Sequence, residues 1–240
     1  MKFLSLIAIS AILFSGCGFG GKPVNGNGTI SSEEKTISAF KDVETGGNFE
    51  VYISQGELKP MKIEGDQNLL EYVEVEQTGD KLEIRTRDGY NLKSDKGIKI
   101  FLTAPVYKSI RVSGAGNIIG QGKLVNDADL KISVSGAGDI TMDVDAPSIE
   151  SSVSGSGNIN MKGETRDFKV RISGAGEAHC YDMKAENTDV HISGAGSADV
   201  FASVKLEAHV SGAGKISYKG SPKTVNQQVS GAGSVNKAGD

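Results

Sequence analysis

One tetrapeptide, returning at almost even spacing, limits what this chain can fold into more than any other feature. Ser-Gly-Ala-Gly begins at Ser113, Ser135, Ser173, Ser193, Ser211 and Ser230, with a Ser-Gly-Ser-Gly variant at Ser154. Successive starts lie 22, 19, 19, 20, 18 and 19 residues apart. A unit of this size is one supersecondary element, too small to bury its apolar side alone, so it must stack on its neighbours.

With the copies aligned on the serine, the preceding residue is Val112, Val134, Val153, Ile172, Ile192, Val210 or Val229, always β-branched. The positions three and five before it are mostly apolar, as in Ile110, Ile132, Val170 and Val190, and in Leu130, Ile149, Phe168 and Leu206. The columns between are polar. Two before stand Arg111, Ser133, Ser152, Arg171, His191, His209 and Gln228; four before stand Ser109, Lys131, Glu150, Lys169, Asp189, Glu207 and Asn226. Period-two alternation of this kind marks a half-buried strand. A second apolar column, five after the serine, runs Ile118, Ile140, Ile159, Ala178, Ala198, Ile216 and Val235.

Each unit therefore reads as strand, tight turn, strand and looser turn. The tight turns hold the glycine pairs Gly114 and Gly116, Gly136 and Gly138, Gly155 and Gly157, Gly174 and Gly176, Gly194 and Gly196, Gly212 and Gly214, and Gly231 and Gly233. Glycine suits such a corner because it accepts positive φ and leaves no Cβ to accommodate. A unit of about 19 residues is either a hairpin in a meander or one coil of a solenoid. The column Lys131, Glu150, Lys169, Asp189 alternates in sign. That arrangement favours coils stacked in register at about 4.8 Å, where opposite charges attract across strands. Asp189 beside Glu207 breaks the alternation. The expected fold is all-β: a flattened two-sheet β-helix over residues 108–240, a rod of roughly 34 Å.

Residues 37–107 are also β-rich, with strands expected at 48–55, 61–64, 73–77, 81–86 and 98–104, a hairpin turn at Gly79-Asp80, and a short helix from Asp66, its N-cap, to Tyr72. This segment continues the solenoid or caps its end. Residues 1–16 have the layout of a secretory signal: Lys2, then an apolar stretch from Phe3 to Phe14, then Ser15-Gly16-Cys17. The small residues before Cys17 resemble a bacterial lipobox, which implies a diacylated Cys17 as a membrane anchor; Phe14 is atypical for that motif. Residues 17–36, rich in Gly, Asn and Ser, read as a flexible tether.

The chain carries 26 basic and 30 acidic residues, a net charge of -4, with no basic run, so a nucleic-acid partner is not expected. Two cysteines cannot build a disulfide framework, and Cys180, in an inward column, reads as a small buried hydrophobe.

The segments Phe49-Glu50-Val51-Tyr52-Ile53-Ser54-Gln55-Gly56, Asp66-Gln67-Asn68-Leu69-Leu70 and Thr103-Ala104-Pro105, together with Val112-Ser113-Gly114-Ala115-Gly116 and the later glycine turns, carry a family resemblance. The chain resembles the putative auto-transporter adhesin, head GIN domain family of Bacteroidetes-type bacteria over residues 40–235. The resemblance implies a right-handed two-sheet β-helix, similar to pectin-lyase-like folds without their catalytic residues, and a role in cell adhesion. It transfers no binding residues.

Seven equivalent serines at turns form a structural ladder, and no Gly-x-Ser-x-Gly elbow accompanies them. Gly114-Ala115-Gly116 is followed by a strand where a dinucleotide fingerprint needs a helix. His191 and His209 are neighbours in one outward column, but two imidazoles fall short of a metal ligand set, and the column reads as a solvated strand face. No metal, cofactor or catalytic residue is expected. Tyr181 and Phe201, expected to stack in adjacent coils near His179, are the candidate contact patch.

The expected function is that of a non-enzymatic cell-envelope lipoprotein, an adhesin or recognition module binding a glycan or protein through its flat faces. The alternative is a periplasmic structural or assembly lipoprotein; a polysaccharide-degrading β-helix ranks last, because charge on the outward columns is scattered and mixed. The expected location is the outer membrane. No acid precedes Glu33 and Glu34 after Cys17, so surface and periplasmic orientation both stay open. Oligomeric state is left open as well.

Overall fold

A computed structural model describes residues 21–239. The expected signal, the acylated Cys17 and the first residues of the tether lie outside the described residues. The described residues form twenty strands: β1 (Lys22–Asn25), β2 (Ile30–Lys35), β3 (Asp42–Gly47), β4 (Phe49–Gln55), β5 (Met61–Asp66), β6 (Val73–Thr78), β7 (Lys81–Thr86), β8 (Tyr90–Lys93), β9 (Ile98–Ala104), β10 (Ser109–Gly114), β11 (Asn117–Val125), β12 (Leu130–Gly136), β13 (Asp139–Gly155), β14 (Asn158–Gly174), β15 (Glu177–Gly194), β16 (Ser197–Phe201), β17 (Lys205–Gly212), β18 (Lys215–Lys219), β19 (Thr224–Gly231) and β20 (Ser234–Lys237).

The repeats stack as parallel coils, not hairpins. Gly114, Gly136, Gly155, Gly174, Gly194, Gly212 and Gly231 lie in unbroken register from coil to coil. Strands entering the tight turns form one face and strands leaving them form the other. In β13, β14 and β15 the strand runs on through the looser corner. Inward residues there keep a spacing of two up to the corner, apart from one step from Cys180 to Met183 in β15, and at the corner they skip one: Ala146 to Ile149, Thr165 to Phe168, Ala185 to Thr188. That slip keeps both sides facing one core.

The two glycines of each turn serve different ends. The first has positive φ, from 110° at Gly231 to 127° at Gly155, a region that L side chains rarely adopt. The second does not need positive φ; a Cβ there would strike the previous coil. At Gly157 it would meet the carbonyl oxygen of Gly138 and the Val134 side chain.

One core runs from Phe40 to Tyr218, so residues 37–107 are part of the same body as the repeats. The chain does not wind in simple order, however. β3 and β4 form a coil that pairs on one side with β10 and β11. On the other side it pairs with β7 and β9, which come later in sequence. Beyond them the direction reverses: β6 pairs antiparallel with β7, β5 with β9, and β2 with β5. These strands, with buried Met61, Leu69 and Leu70, cover the end of the core, as repeat folds require.

The expected tether is corrected over residues 22–35, which form β1 and β2. β1 pairs with β8, and β2 is an edge strand whose Ser31, Ser32, Glu33 and Glu34 give no apolar period. The expected helix after Asp66 shortens to a 3-10 turn at Leu70–Tyr72, preceded by Leu69, not Asp66. Asp66, 3% exposed, instead accepts hydrogen bonds from the Gly28 N–H at 2.6 Å and the Ser94 hydroxyl at 2.5 Å, holding the β1–β2 connection in place.

The charge column stacks in the expected register. Glu150 lies 4.0 Å from Lys131 and 2.8 Å from Arg171. The unfavourable neighbours Asp189 and Glu207 find other partners, His191 at 3.0 Å and Lys205 at 2.7 Å respectively. In the last described coil the inward column loses its cover, and Val225 and Val229 are 38% and 43% exposed.

Candidate functional site

The departures from a 19-residue period are where the surface becomes irregular. Between Ile119 and Lys123 three residues oppose the single Met142 of the next coil. Gly120, Gln121 and Gly122 are thus pushed outward, which accounts for part of the 22-residue spacing. Between Asn160 and Lys162, the single Met161 opposes both Cys180 and Tyr181. That one-residue bulge accounts for the 20-residue spacing. Bulges re-aim side chains and are common beside binding sites.

Both bulges lie on the face formed by strands leaving the tight turns. They border a groove of about 510 Å³ whose lining includes Gly120, Asp143, Asn160, His179, Tyr181 and Asp199. His179 stands between two carboxylates, with Nε2 3.0 Å from Glu177 and Nδ1 3.4 Å from Asp199. Burial, reinforced by Asp199 against a contact from Ser217, pushes the Tyr181 phenol above its ordinary pKa. Cys180, beside it in the chain, faces inward. It is fully buried, and its thiol is pushed up to about 12.

The expected Tyr181–Phe201 stack does not form. The bulge displaces Tyr181 out of the column, and each ring meets a lysine instead. Lys219 Nζ lies 5.2 Å from the Tyr181 centroid, and Lys184 Nζ lies 4.5 Å from that of Phe201. Tyr181 and His179 share the groove, while Phe201 lines a neighbouring depression with Lys184 and Arg166.

The same face carries an aromatic pair that the column reading missed. Tyr52 on β4 and Phe101 on β9 are directly paired and stacked, with centroids 5.0 Å apart and planes 10° apart. Lys62 lies 5.4 Å over Phe101, and Ile119 pairs with Tyr52 on the other side. A contact with Glu50 holds the Tyr52 phenol above its ordinary pKa. All are half-buried. From Tyr52 to His179 is four strand steps, about 19 Å. The outward phase of Phe49–Gln55 and Ile98–Ala104 marks both rings in the sequence, but only the pairing of these distant segments shows that they meet.

Residues 39–222 match the family described as "Putative auto-transporter adhesin, head GIN domain". Among solved structures, a "putative adhesin" from Bacteroides fragilis superimposes with a TM-score of 0.85 at 20% identity, covering 90% of this chain and 100% of that one. A "putative lipid binding protein" from Parabacteroides distasonis gives 0.76 at 23% identity, over 91% and 100%. A "putative adhesin" from Parabacteroides merdae gives 0.71 at 25%, again over 91% and 100%. No curated protein matches the chain.

Proposed function

Because the chain belongs to the family described as "Putative auto-transporter adhesin, head GIN domain", we propose that it is a non-enzymatic recognition module of the cell envelope that binds a glycan through the face leaving the tight turns. The groove between the two bulges carries this reading. It combines a half-buried tyrosine with carboxylate, amide and imidazole groups directed outward. The stacked Tyr52 and Phe101 extend the same face toward the other end. Flat aromatic surface adds contact area at little entropic cost, and the polar groups orient hydroxyl-rich ligands. A rigid stack of coils presents both ends of the face in fixed relation, which suits an extended polymer held by several weak contacts.

In this reading the acylated Cys17 anchors the chain in the outer membrane, and the solenoid faces outward. Cys17→Ala is expected to move a tagged chain from the membrane fraction to the soluble fraction. Protease added to intact cells is expected to degrade the wild-type chain while a periplasmic control survives. Protection until the outer membrane is permeabilised would instead favour the periplasmic assembly role. The lack of an acidic residue between Cys17 and Glu33 speaks for that second reading.

A further inference from the structure

On the opposite face, formed by strands entering the tight turns, Asp189 and His191 alternate outward on β15, and His209 stands directly across from His191 on β17. The imidazoles are stacked, with centroids 4.5 Å apart and planes 13° apart. One ligand atom from each of Asp189, His191 and His209 lies within 4.8 Å of the other two. We propose that these three residues bind a divalent transition-metal ion of the zinc type, joining two adjacent coils.

Counting imidazoles along the column yields two ligands, too few for a site. The fold adds a third, because a residue two places back on a strand shares the face of its neighbour. His191 Nε2 is 3.0 Å from Asp189 Oδ1. Zinc holds nitrogen and oxygen ligands at about 2.0–2.2 Å, which places two ligand atoms of a tetrahedron roughly 3.3 Å apart, so this edge is already formed. All three ligand atoms lie within 4.8 Å of one another, so closing the set asks for a side-chain movement of at most about 1.5 Å, the difference between that limit and a tetrahedral edge.

The Asp189 carboxylate is itself short of a partner. Asp189 Oδ1 is shielded from solvent yet accepts no hydrogen bond from the described residues; the nearby His191 nitrogen is in contact but off the hydrogen-bond axis. A shielded carboxylate oxygen without a donor is costly, and a cation would satisfy it. The nearby charged groups leave room for one. Lys169, across from Asp189 on β14, forms no ion pair with it among the described residues. Arg171, across from His191, is drawn toward Glu150 at 2.8 Å, and Glu207, across from Asp189, is held by Lys205 at 2.7 Å. Two imidazoles and one carboxylate suit zinc, nickel or copper, not magnesium or calcium. Ser193 and Ser211 line the same groove as the two imidazoles.

His179 provides the internal control. It is held between Glu177 and Asp199 on the other face and has no second imidazole beside it. Calorimetric titration of the full chain with zinc chloride is expected to show one saturable site that magnesium does not compete for. His191→Gln, His209→Gln and Asp189→Asn should each weaken it at least tenfold, whereas His179→Gln leaves it within twofold. Circular dichroism checks that each variant is folded. A measurement on the wild-type chain needs no variant: zinc should protect His191 and His209, but not His179, from carbethoxylation mapped by mass spectrometry. Absence of saturable binding, an unchanged affinity in the folded His191→Gln/His209→Gln double variant, or equal protection of all three histidines would overturn the proposal.

Discussion

A single methyl group placed on Gly157 would meet the carbonyl of Gly138 one coil away, at a corner where backbone stacks directly on backbone. Neither atom has a side chain's freedom to move aside. Gly157→Ala is therefore expected to cost roughly 1–3 kcal/mol, the range for forced overpacking, read as a lower urea midpoint with an unchanged slope. Gly155→Ala adds the strain of a φ of 127° to a similar clash, so it should cost more. The need for glycine at both places was legible in the sequence; that one place needs it for φ and the other for space was not, because the second reason belongs to the neighbouring coil. Cys180 gives a prediction of a different kind. Burial raises its thiol from 9.0 to about 12 in the folded chain. The stability this provides is fully present below pH 9 and is lost as pH rises toward 12, because only the unfolded thiol ionises in that window. Tyr107 acts in the same direction, its phenol raised by burial. From pH 7 to 10.5 the Cys180 contribution should fall by roughly 1–2 kcal/mol. Cys180→Ala should flatten the alkaline part of a stability–pH profile measured by urea unfolding.

At the scale of elements, the repeat strands were readable because one face of each is buried, and burial on one face prints a period of two. The five strands expected between residues 48 and 104 appear for the same reason, within two residues at their ends. β2 and β8 were not readable. β2 lies on an edge with mostly polar, exposed side chains, and β8 pairs only with β1 among the described residues. The out-of-order coil of β7 and β9 left no local mark, since pairings such as Thr45 with Ile84 and Val51 with Ile100 join distant segments. The bulges were visible only as irregular spacing, 22 and 20 where 19 prevails, and they border the groove. The end of the core that β2 helps to cover depends on Asp66. Asp66→Ala removes the acceptor for the Gly28 N–H and the Ser94 hydroxyl. It should cost roughly 1–3 kcal/mol and, in limited proteolysis, expose the segment 21–35 to cleavage before the repeats.

The molecule as a whole is a stack whose coils differ little inside and a great deal outside. Inward columns repeat Val, Ile and Leu, while the outward columns change from coil to coil: Phe101, Tyr52, Ile119, Thr141, Asn160, His179 and Asp199 follow one another across one face. A row that runs from aromatic to polar along a rigid surface gives a ligand both contact area and direction. The measurement that tests this most directly is binding of the purified chain and its Tyr52→Ala/Phe101→Ala and Tyr181→Ala variants to an array of glycans and matrix proteins. The wild-type chain is expected to bind a restricted set of glycans, and each variant to lose at least tenfold in affinity while its unfolding free energy, read from urea denaturation, stays within about 1.5 kcal/mol of wild type, the upper worth of an aromatic pair. Glycan binding that survives both changes, or binding confined to proteins, would contradict it.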